Sequence, residues 1–451
     1  MDEVSEFLAK HPDVEIFDAI LPDLCGVIRG KRVSRDSVLD IYKNGFHVPA
    51  SSVLLDVRGD NDDPLGRGGS DGDPDVLARP VPGSLTMVPW FEKPMAQLLV
   101  TFFESDGSPH QFDPRHVLQR VLNRFNDIGL RPVVALEQEF YLLDPEGALE
   151  GNPQPPIMPL TGRRVSGTQV LSISDLDGFG DFFDAVSEAC IIQKIPIGPV
   201  SAEYATGQYE INLKHSDDPM AACDHAMLLP RVIKGVAQNH GVDATFMAKP
   251  YPEQSGSGMH MHVSLLDDKG NNVFSGSEET GSEILKFAAA GLLETMPEAM
   301  AFLAPNINSF RRFEPGAYAP VNRSWGYNNR SVAVRIPAGD DKNRRLEYRI
   351  AGADANPYLA LAAVLSGMHY GISQKLSPPP AVKGKETTEP DESLPTECGW
   401  ALEVLEQSKV LADYMGAAYC KLYVECKRDE LRSFMSRVSS REYQWYLRLD
   451  G

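Results

Sequence analysis

The segment RPVVALEQEFYLLD (131–144) decides how the rest of the chain can be arranged. Its alternating pattern predicts a β-strand, in which neighbouring side chains leave by opposite faces. Glu137 and Glu139 then share one face, while apolar residues such as Leu136 and Phe140 share the other. Two carboxylates side by side repel each other unless positive charge lies between them. We therefore expect the polar face of this strand to hold a cation.

Three later segments repeat the pattern of one apolar and one polar face. They are QYEINLKH (208–215), GMHMHVSL (258–265) and RRLEYRI (344–350). The side chains that share a polar face are Glu210, Asn212 and Lys214 in the first segment, His260, His262 and Ser264 in the second, and Glu347 and Arg349 in the third. Several such strands predict a curved sheet whose polar side lines a reaction cavity.

The length of the chain suggests two domains, since 451 residues exceed the size at which one core usually stops growing. We expect a small mixed domain at residues 1–108 and a larger domain at 109–451. The segment SDGSPHQFDPR (105–115) is typical of a linker, and Asp113 followed by Pro114 is a typical helix start. Ser34 and Gly45 are likewise predicted to begin and end a helix in the first domain.

The charge balance is strongly acidic, with 63 acidic and 43 basic residues and a net charge of −20. Such a surface disfavours nucleic acid and anionic membranes as partners and attracts small cations, although solubility alone would also explain it. The six cysteines form no CxxC pair, which indicates reduced thiols. The acidic N-terminus is unlike a signal peptide, and no apolar run reaches the roughly 20 residues of a membrane helix. We therefore expect a cytoplasmic protein.

Six residues on strand-like segments form a set of potential metal ligands. They are Glu137, Glu139, Glu203, Glu210, His260 and Glu347. Oxygen-rich ligands with one imidazole suit Mg²⁺ or Mn²⁺, and six ligands could hold two ions. A solvated charge on a strand would be the ordinary explanation for any one of these glutamates. The set as a whole favours a metal centre.

Five arginines accompany these acids, at positions 312, 330, 335, 345 and 349. They are too many for one carboxylate substrate, but they fit an amino-acid carboxylate together with a triphosphate, both of which bind guanidinium groups bidentately. Metal ions and arginines around phosphate are typical of phosphoryl transfer.

At this point the chain resembles the glutamine synthetase family over nearly its whole length. The resemblance is strongest in ALEQEFYL (135–142), AEYATGQYEINL (202–213), GSGMHMHVSL (256–265), NRSVAVRIP (329–337) and RRLEYRIAGADANPYLALAA (344–363). It implies an α+β fold, with a small β-grasp N-terminal domain and a catalytic domain built on a curved antiparallel half-barrel sheet backed by helices. It also implies a homo-dodecamer of two hexameric rings with active sites at subunit interfaces.

The resemblance implies a role for each matching residue, with ATP as co-substrate and two or more Mg²⁺ or Mn²⁺ ions. The metal beside the substrate would be held by Glu139, Glu203 and Glu210, and the metal on the ATP phosphates by Glu137, His260 and Glu347. ATP would meet His262, Ser264, Arg335 and Arg345. Glutamate would meet Gly256, Arg312 and Arg349. Arg330 would steady the transferring phosphoryl group and contact the substrate.

The chain departs from the family where ammonium should bind. The family segment Asp-Gly-Ser-Ser reads PASS (49–52) here, so Ala50 and its neighbours replace the ammonium-binding aspartate. The family flap Pro-Gly-x-Glu-x-Pro reads PGAYAP (315–320), so Tyr318 replaces a glutamate. The family's usual asparagine before the Gly-rich motif is Ser255. Two losses at one subsite point to a changed nucleophile.

We accordingly place Tyr318 in the catalytic set with Arg330 and Glu203, and Ser52 among the substrate-binding residues. The substitutions predict an opening with apolar walls that admits an alkylamine. Trp90 and Trp325 are candidate neighbours of this opening, although ordinary packing explains the two tryptophans more simply.

The sequence thus favours an ATP-dependent ligase that resembles the γ-glutamylpolyamine synthetases of polyamine breakdown. It would join the γ-carboxylate of L-glutamate to putrescine, spermidine or a smaller alkylamine through γ-glutamyl phosphate. A glutamine synthetase that uses ammonia and a non-catalytic assembly protein are the alternatives. The preferred amine, the base that deprotonates it, and the choice between Mg²⁺ and Mn²⁺ are left open.

Overall fold

The computed structural model describes residues 2–149, 151–167, 170–276, 280–314, 317–385 and 391–449. Its first sheet, within these ranges, has six strands in the order β2-β1-β6-β4-β3, with β5 also paired to β6. The strands are β1 Ile16–Pro22, β2 Ile28–Ser34, β3 Phe46–Pro49, β4 Asp75–Pro80, β5 Thr86–Met87 and β6 Met95–Phe103. β1 runs parallel to β6, and the other pairs are antiparallel.

Two helices accompany this sheet, α1 (Glu3–Lys10) and α2 (Arg35–Asn44). α2 packs on the sheet, an arrangement consistent with the expected β-grasp domain. The predicted bounds of α2 are confirmed, since Ser34 is its N-cap residue and Gly45 ends it with a φ of 73°. The Ser34 hydroxyl, however, bonds the hydroxyl of Ser37 at 3.0 Å, so it does not cap a backbone N–H.

The second sheet has eight strands in the described part of the chain and forms the expected curved half-barrel. Its order is β10-β11-β7-β13-β16-β15-β14, and β12 pairs with the far end of β7. The strands are β7 Leu130–Leu143, β10 Ile197–Ala202, β11 Gln208–Leu213, β12 Asp243–Thr245, β13 Met259–Asp267, β14 Trp325–Tyr327, β15 Val334–Ile336 and β16 Leu346–Tyr348; a two-stranded ribbon adds β8 Ile157–Met158 and β9 Arg163–Arg164. All neighbours in the large sheet are antiparallel except β14 and β15.

Eleven further helices lie in the described ranges, and several of them pack against the large sheet. They are α3 Pro114–Asn126, α4 Pro145–Leu149, α5 Ile173–Gly178, α6 Gly180–Ile192, α7 Pro219–Asn239, α8 Glu283–Leu303, α9 Ile307–Phe310, α10 Pro357–Gln374, α11 Cys398–Glu406, α12 Ala417–Met435 and α13 Ser440–Tyr446. Asp113 caps α3 through a bond from the Arg115 N–H, as predicted. α8 and α10 approach so closely that a Cβ at Gly291 would overlap the carbonyl oxygen of Gly367. This close packing makes the pair α8 and α10 a rigid part of the helical layer.

The two sheets meet through α7. Arg231 on this helix donates to Asp18 of β1 at 3.0 Å and to Gln97 of β6 at 2.8 Å. We propose residues 1–108 and 109–451 as the two domains, because the first sheet ends at Phe103 and α3 begins at Pro114. Within the described ranges, no helix has both the length and the apolar character needed to cross a membrane.

Candidate active site

The register of five strands gathers the predicted acidic and basic residues on one face of the large sheet. On β7, Glu137 lies opposite His260 of β13, and Glu139 lies opposite Glu210 of β11. One strand further, His262 of β13 lies opposite Glu347 of β16, and Glu347 lies opposite Arg335 of β15. Directly opposed residues share a face, so these pairings form one continuous polar surface.

Glu137 is the centre of this surface. It accepts hydrogen bonds from His260 Nδ1 at 3.1 Å and from His262 Nε2 at 2.8 Å. Burial by itself would raise the pKa of Glu137, but the two imidazoles outweigh it and hold that pKa far below its usual range. Arg345 donates from Nε to Nδ1 of His262 at 3.1 Å. His262 is thus held between Arg345 at Nδ1 and Glu137 at Nε2.

Glu347 is held between two arginines. It accepts from Arg335 Nη1 at 2.5 Å and from Nη1 of Arg349, and only 1% of its surface is exposed. Burial favours its neutral form, but the charges of Arg349, the two histidines and Arg335 lower the pKa of Glu347 to about 2. The carboxylate is therefore ionised at neutral pH.

The pKa values of Glu203 and Glu210 are shifted in the opposite direction, upward. Burial raises the pKa of Glu203 to about 7, and the carboxylate of Glu139 adds to the effect. Burial also raises the pKa of Glu210 to about 8, with contributions from Glu137 and Glu139. The positive charge of Arg330 opposes the rise at Glu203, which places this exposed arginine near the cluster. Without further positive charge, the site therefore retains protons at neutral pH.

The cluster fits divalent cations in geometry and in donor chemistry. Two groups have ligand atoms within 4.8 Å of one another, namely Glu137 with His262 and Glu347, and Glu137 with Glu210 and His260. Carboxylate oxygens with an imidazole suit Mg²⁺ or Mn²⁺. The two compact groups share Glu137. The first adds His262, which was predicted to contact ATP, to Glu137 and Glu347, and only the second combines members of both predicted metal sets. Glu139 and Glu203 lie outside these compact groups, although their electrostatic effects place them beside Glu210.

The Gly-rich segment lies beside Glu139. The backbone N–H of Gly258 donates to Glu139 Oε2 at 2.7 Å. A Cβ at Gly256 would lie 2.5 Å from Cγ of Arg312 and 2.8 Å from the carbonyl oxygen of Ala248, so only glycine fits there. Arg312 itself is buried and donates to the carbonyl oxygen of Ile350 at 2.9 Å.

Two predicted residues lie away from the centre of the cluster. Ser264 follows His262 along the same face of β13, and its cross-strand partner is Val133. Ser52 lies on the 3₁₀ turn Ala50–Val53 of the first domain. Within the described ranges, no hydrogen bond or ion pair links Ser52 to the cluster.

Tyr318 contributes an exposed aromatic ring at the edge of the site. Its ring centroid lies 5.4 Å from that of Tyr204, and the two residues are 66% and 44% exposed. Tyr204 directly follows Glu203, so the aromatic pair lies next to the cluster. Sequence reasoning missed Tyr204, although its position beside a predicted ligand was the available signal. The first two flap residues, 315 and 316, lie outside the described residues.

The two tryptophans considered as neighbours of the amine opening pack elsewhere. Trp90 is 9% exposed and rests on Gly235 of α7, where it accepts a hydrogen bond on its carbonyl oxygen from Asn239 at 2.8 Å. Trp325 is 5% exposed, and its indole donates to the carbonyl oxygen of Pro379 at 2.6 Å. Both are packing residues, as the simpler explanation held.

Comparison with known proteins identifies the relatives of this chain. Residues 111–446 match the family described as glutamine synthetase, catalytic domain. A curated relative, the gamma-glutamylputrescine synthetase PuuA of Escherichia coli (strain K12), is 42% identical over 446 residues, covering 99% of this chain and 94% of that protein. The glutamate–isopropylamine ligase of a Pseudomonas species is 32% identical, covering 99% and 97%. Among solved structures, a GmaS/ADP complex superposes with a TM-score of 0.85 at 26% identity and covers all of both chains.

Proposed function

The chain belongs to the glutamine synthetase family, and from that premise we propose that it is an ATP-dependent ligase that joins the γ-carboxylate of L-glutamate to an amine. The contact between Tyr318 and Tyr204 beside Glu203 carries this proposal. Where the family has carboxylates for ammonium, this chain has Ala50 and an aromatic ring. An aromatic surface packs against the carbon chain of an amine, and its π face attracts a second ammonium group.

The named relatives support the same substrate class. One is named for putrescine, a diamine, and another for isopropylamine, a branched monoamine. Both names describe ligation of glutamate to a nitrogen that carries carbon. We infer a putrescine-like or other short aliphatic amine as the acceptor here, in polyamine or amine catabolism.

The proposed reaction has two steps. The γ-carboxylate of glutamate attacks the γ-phosphorus of ATP, which forms γ-glutamyl phosphate and releases ADP. The amine nitrogen then attacks the acyl carbon, phosphate leaves, and the nitrogen loses a proton. An acyl phosphate is a good electrophile because phosphate carries away the electron pair, so the ATP spent in the first step drives amide formation.

The chain's own residues divide this work between the two substrates. We assign ATP to the edge of the cluster formed by His262, Ser264, Arg335 and Arg345. We assign glutamate to the Gly-rich side, formed by Gly256, Arg312 and Arg349. Arg330, near Glu203, would balance the charge of the phosphoryl group during transfer and would contact the substrate.

Six residues would hold the divalent ions, namely Glu137, Glu139, Glu203, Glu210, His260 and Glu347. When bound, Mg²⁺ or Mn²⁺ neutralises phosphate charge during transfer. The burial of this acidic cluster supports the assignment, because buried carboxylates at short range are stable only with protons or cations between them.

We propose a homo-dodecamer of two hexameric rings, in which the first domain of one subunit completes the site of its neighbour. The position of Ser52 supports this, since within the described residues no hydrogen bond links its turn to the cluster.

The C-terminal arm (434–449) also supports the assembly, because a neighbouring subunit would bury the many large apolar side chains that the arm exposes. These are Phe434, Met435, Val438, Tyr443, Trp445, Tyr446, Leu447 and Leu449. Light scattering of the whole chain and of a chain ending at residue 433 tests the assembly, and a monomeric whole chain would contradict it.

An amine panel tests the function. The enzyme with ATP, Mg²⁺ and glutamate is supplied in turn with putrescine, spermidine, short monoamines, ethanolamine and ammonium. Phosphate release is measured, and mass spectrometry identifies the γ-glutamyl product. We expect turnover with at least one carbon-bearing amine to exceed turnover with ammonium. Turnover with ammonium alone would identify a glutamine synthetase instead.

A further inference from the structure

Gln208 is a buried polar residue at the start of β11 that the proposed reaction leaves without a role. It is 2% exposed, and both ends of its carboxamide are bonded. Oε1 accepts from the backbone N–H of Ala205 at 3.2 Å. Nε2 donates to the carbonyl oxygen of Gly256 at 3.1 Å and, more weakly, to Glu139 Oε2 at 3.4 Å. One side chain therefore reaches the turn before β11, the Gly-rich segment and β7.

Gln208 makes most of the hydrogen bonds that close the turn before β11. Its carbonyl oxygen accepts from the N–H of Glu203 at 2.8 Å, and its own N–H donates to the carbonyl oxygen of Ala205 at 3.1 Å. Gly207 supplies the positive φ of 74° that the turn requires. Together with the side-chain bond to Ala205, these contacts fix the segment that carries Glu203.

The orientation of Glu139 depends on the same side chain. Gln208 Nε2 and the N–H of Gly258 both donate to Oε2 of Glu139. Oε1 accepts no hydrogen bond within the described part of the chain. Two donors on one oxygen fix the carboxylate plane and keep the other oxygen for a ligand.

We infer that Gln208 is a positioning residue that joins the metal ion beside the substrate to the loop that holds glutamate. It would fix Glu139 and the Glu203 turn on the metal side, and Gly256 on the substrate side. Among the described residues, Gln208 makes no hydrogen bond to Glu137, His260 or Glu347. Its influence is therefore confined to one of the two proposed ions. The inference rests on the proposed assignment of these ligands.

The experiment measures metal binding rather than activity alone. Mn²⁺ is titrated into the metal-free whole chain by calorimetry and by electron paramagnetic resonance, for wild type, Gln208→Met and Gln138→Met. Gln138 is a matched control, because it is 1% exposed, lies on the apolar face of β7 and donates to the carbonyl oxygen of Ala226 at 2.9 Å. Circular dichroism and elution volume establish that each variant folds. KM for glutamate and kcat are measured alongside.

We expect wild type to show two Mn²⁺ binding events. Gln208→Met should weaken one of them by about 10–100-fold and leave the other unchanged, as is typical when a group that orients a metal ligand is lost. KM for glutamate should rise in the same variant, and Gln138→Met should match wild type in both measurements. Gln208→Asn keeps the amide but is one methylene shorter, so it should weaken the same single event.

Equal weakening of both events, or no change in either, would overturn the inference. The same holds if Gln138→Met matches Gln208→Met, or if neither Gln208 variant folds, since the role would then be purely structural. None of these measurements contains an amine. A failure of the amine panel therefore leaves the inference standing, and a failure here leaves the amine proposal standing.

Discussion

The ring of Tyr318 lies 5.4 Å, centroid to centroid, from that of Tyr204, and Tyr204 directly follows Glu203. This contact gives the edge of the acidic cluster an aromatic surface. It is the feature by which we expect the chain to distinguish a carbon-bearing amine from ammonium.

Replacing Tyr318 with glutamate should reverse that preference. The change removes an aromatic contact worth about 0.5–2 kcal/mol to a cationic ligand and restores a carboxylate that can bind ammonium. We expect the ratio of kcat/KM for putrescine to that for ammonium to fall by about 10–100-fold. Tyr318→Phe is the control and should keep the wild-type ratio. An unchanged ratio in Tyr318→Glu would show that the ring does not select the nucleophile.

Replacing Glu139 with alanine should abolish ATP turnover without changing the assembly. Glu139 is a proposed metal ligand, held by the N–H of Gly258 at 2.7 Å. We expect at least a roughly 100-fold loss of glutamate-dependent phosphate release. Glu403→Ala, on the exposed face of α11, is the matched control. Full activity in Glu139→Ala with an intact oligomer would exclude this residue from the metal site.

The affinity for Mn²⁺ should rise with pH. Glu203 and Glu210 have pKa values raised to about 7 and about 8, so both are protonated below pH 7. A cation binds the ionised carboxylates and must release these protons. Each proton released adds about a tenfold gain in apparent affinity per pH unit, and the gain should level off above pH 8. Calorimetry in buffers of different ionisation enthalpy counts the protons, and a flat profile between pH 6 and 8 would contradict the prediction.

Replacing Glu347 with glutamine should destabilise the fold. The change leaves Arg335 and Arg349, which are 9% and 6% exposed, without the carboxylate that neutralises them. Breaking a buried ion pair in this way typically costs about 3–5 kcal/mol. Urea unfolding in EDTA measures the difference in the free energy of unfolding.

Glu406→Gln is the matched control for that measurement. Glu406 pairs with Arg428 at 2.7 Å on the surface, where a lost pair typically costs about 1 kcal/mol or less. Similar losses of stability in the two variants would mean that other groups neutralise Arg335 and Arg349 when Glu347 is replaced.

Much of the site could be predicted because it follows from strand alternation. Glu137 and Glu139 were predicted to share a face from their spacing alone, and β7 (Leu130–Leu143) confirms the strand almost to its ends. The helix start at Asp113 was also predicted, because capping depends only on neighbouring residues. Ser34 shows the limit of such reasoning, since its hydroxyl bonds Ser37 instead of the backbone.

Other features depend on which segments become neighbours. Trp90 and Trp325 were candidate neighbours of the amine opening, with ordinary packing as the simpler explanation. The structure shows that each packs against backbone remote in the chain. Tyr204 and Gln208 were likewise not predicted as part of the site. Their importance comes from contacts with Tyr318, Glu139 and Gly256, and those contacts exist only once β7, β11 and the Gly-rich segment lie side by side.

The sequence by itself therefore determined which side chains leave each strand together, because that choice is made by the local geometry of the backbone. The tertiary structure decided which of these faces meet. Only the strand order places Glu137 against both histidines and brings Arg335 to Glu347. These neighbours lower the pKa values of Glu137 and Glu347, whereas burial raises those of Glu203 and Glu210. The reason is physical: charge interactions and burial depend on distances through space, which the spacing of residues along a chain does not fix.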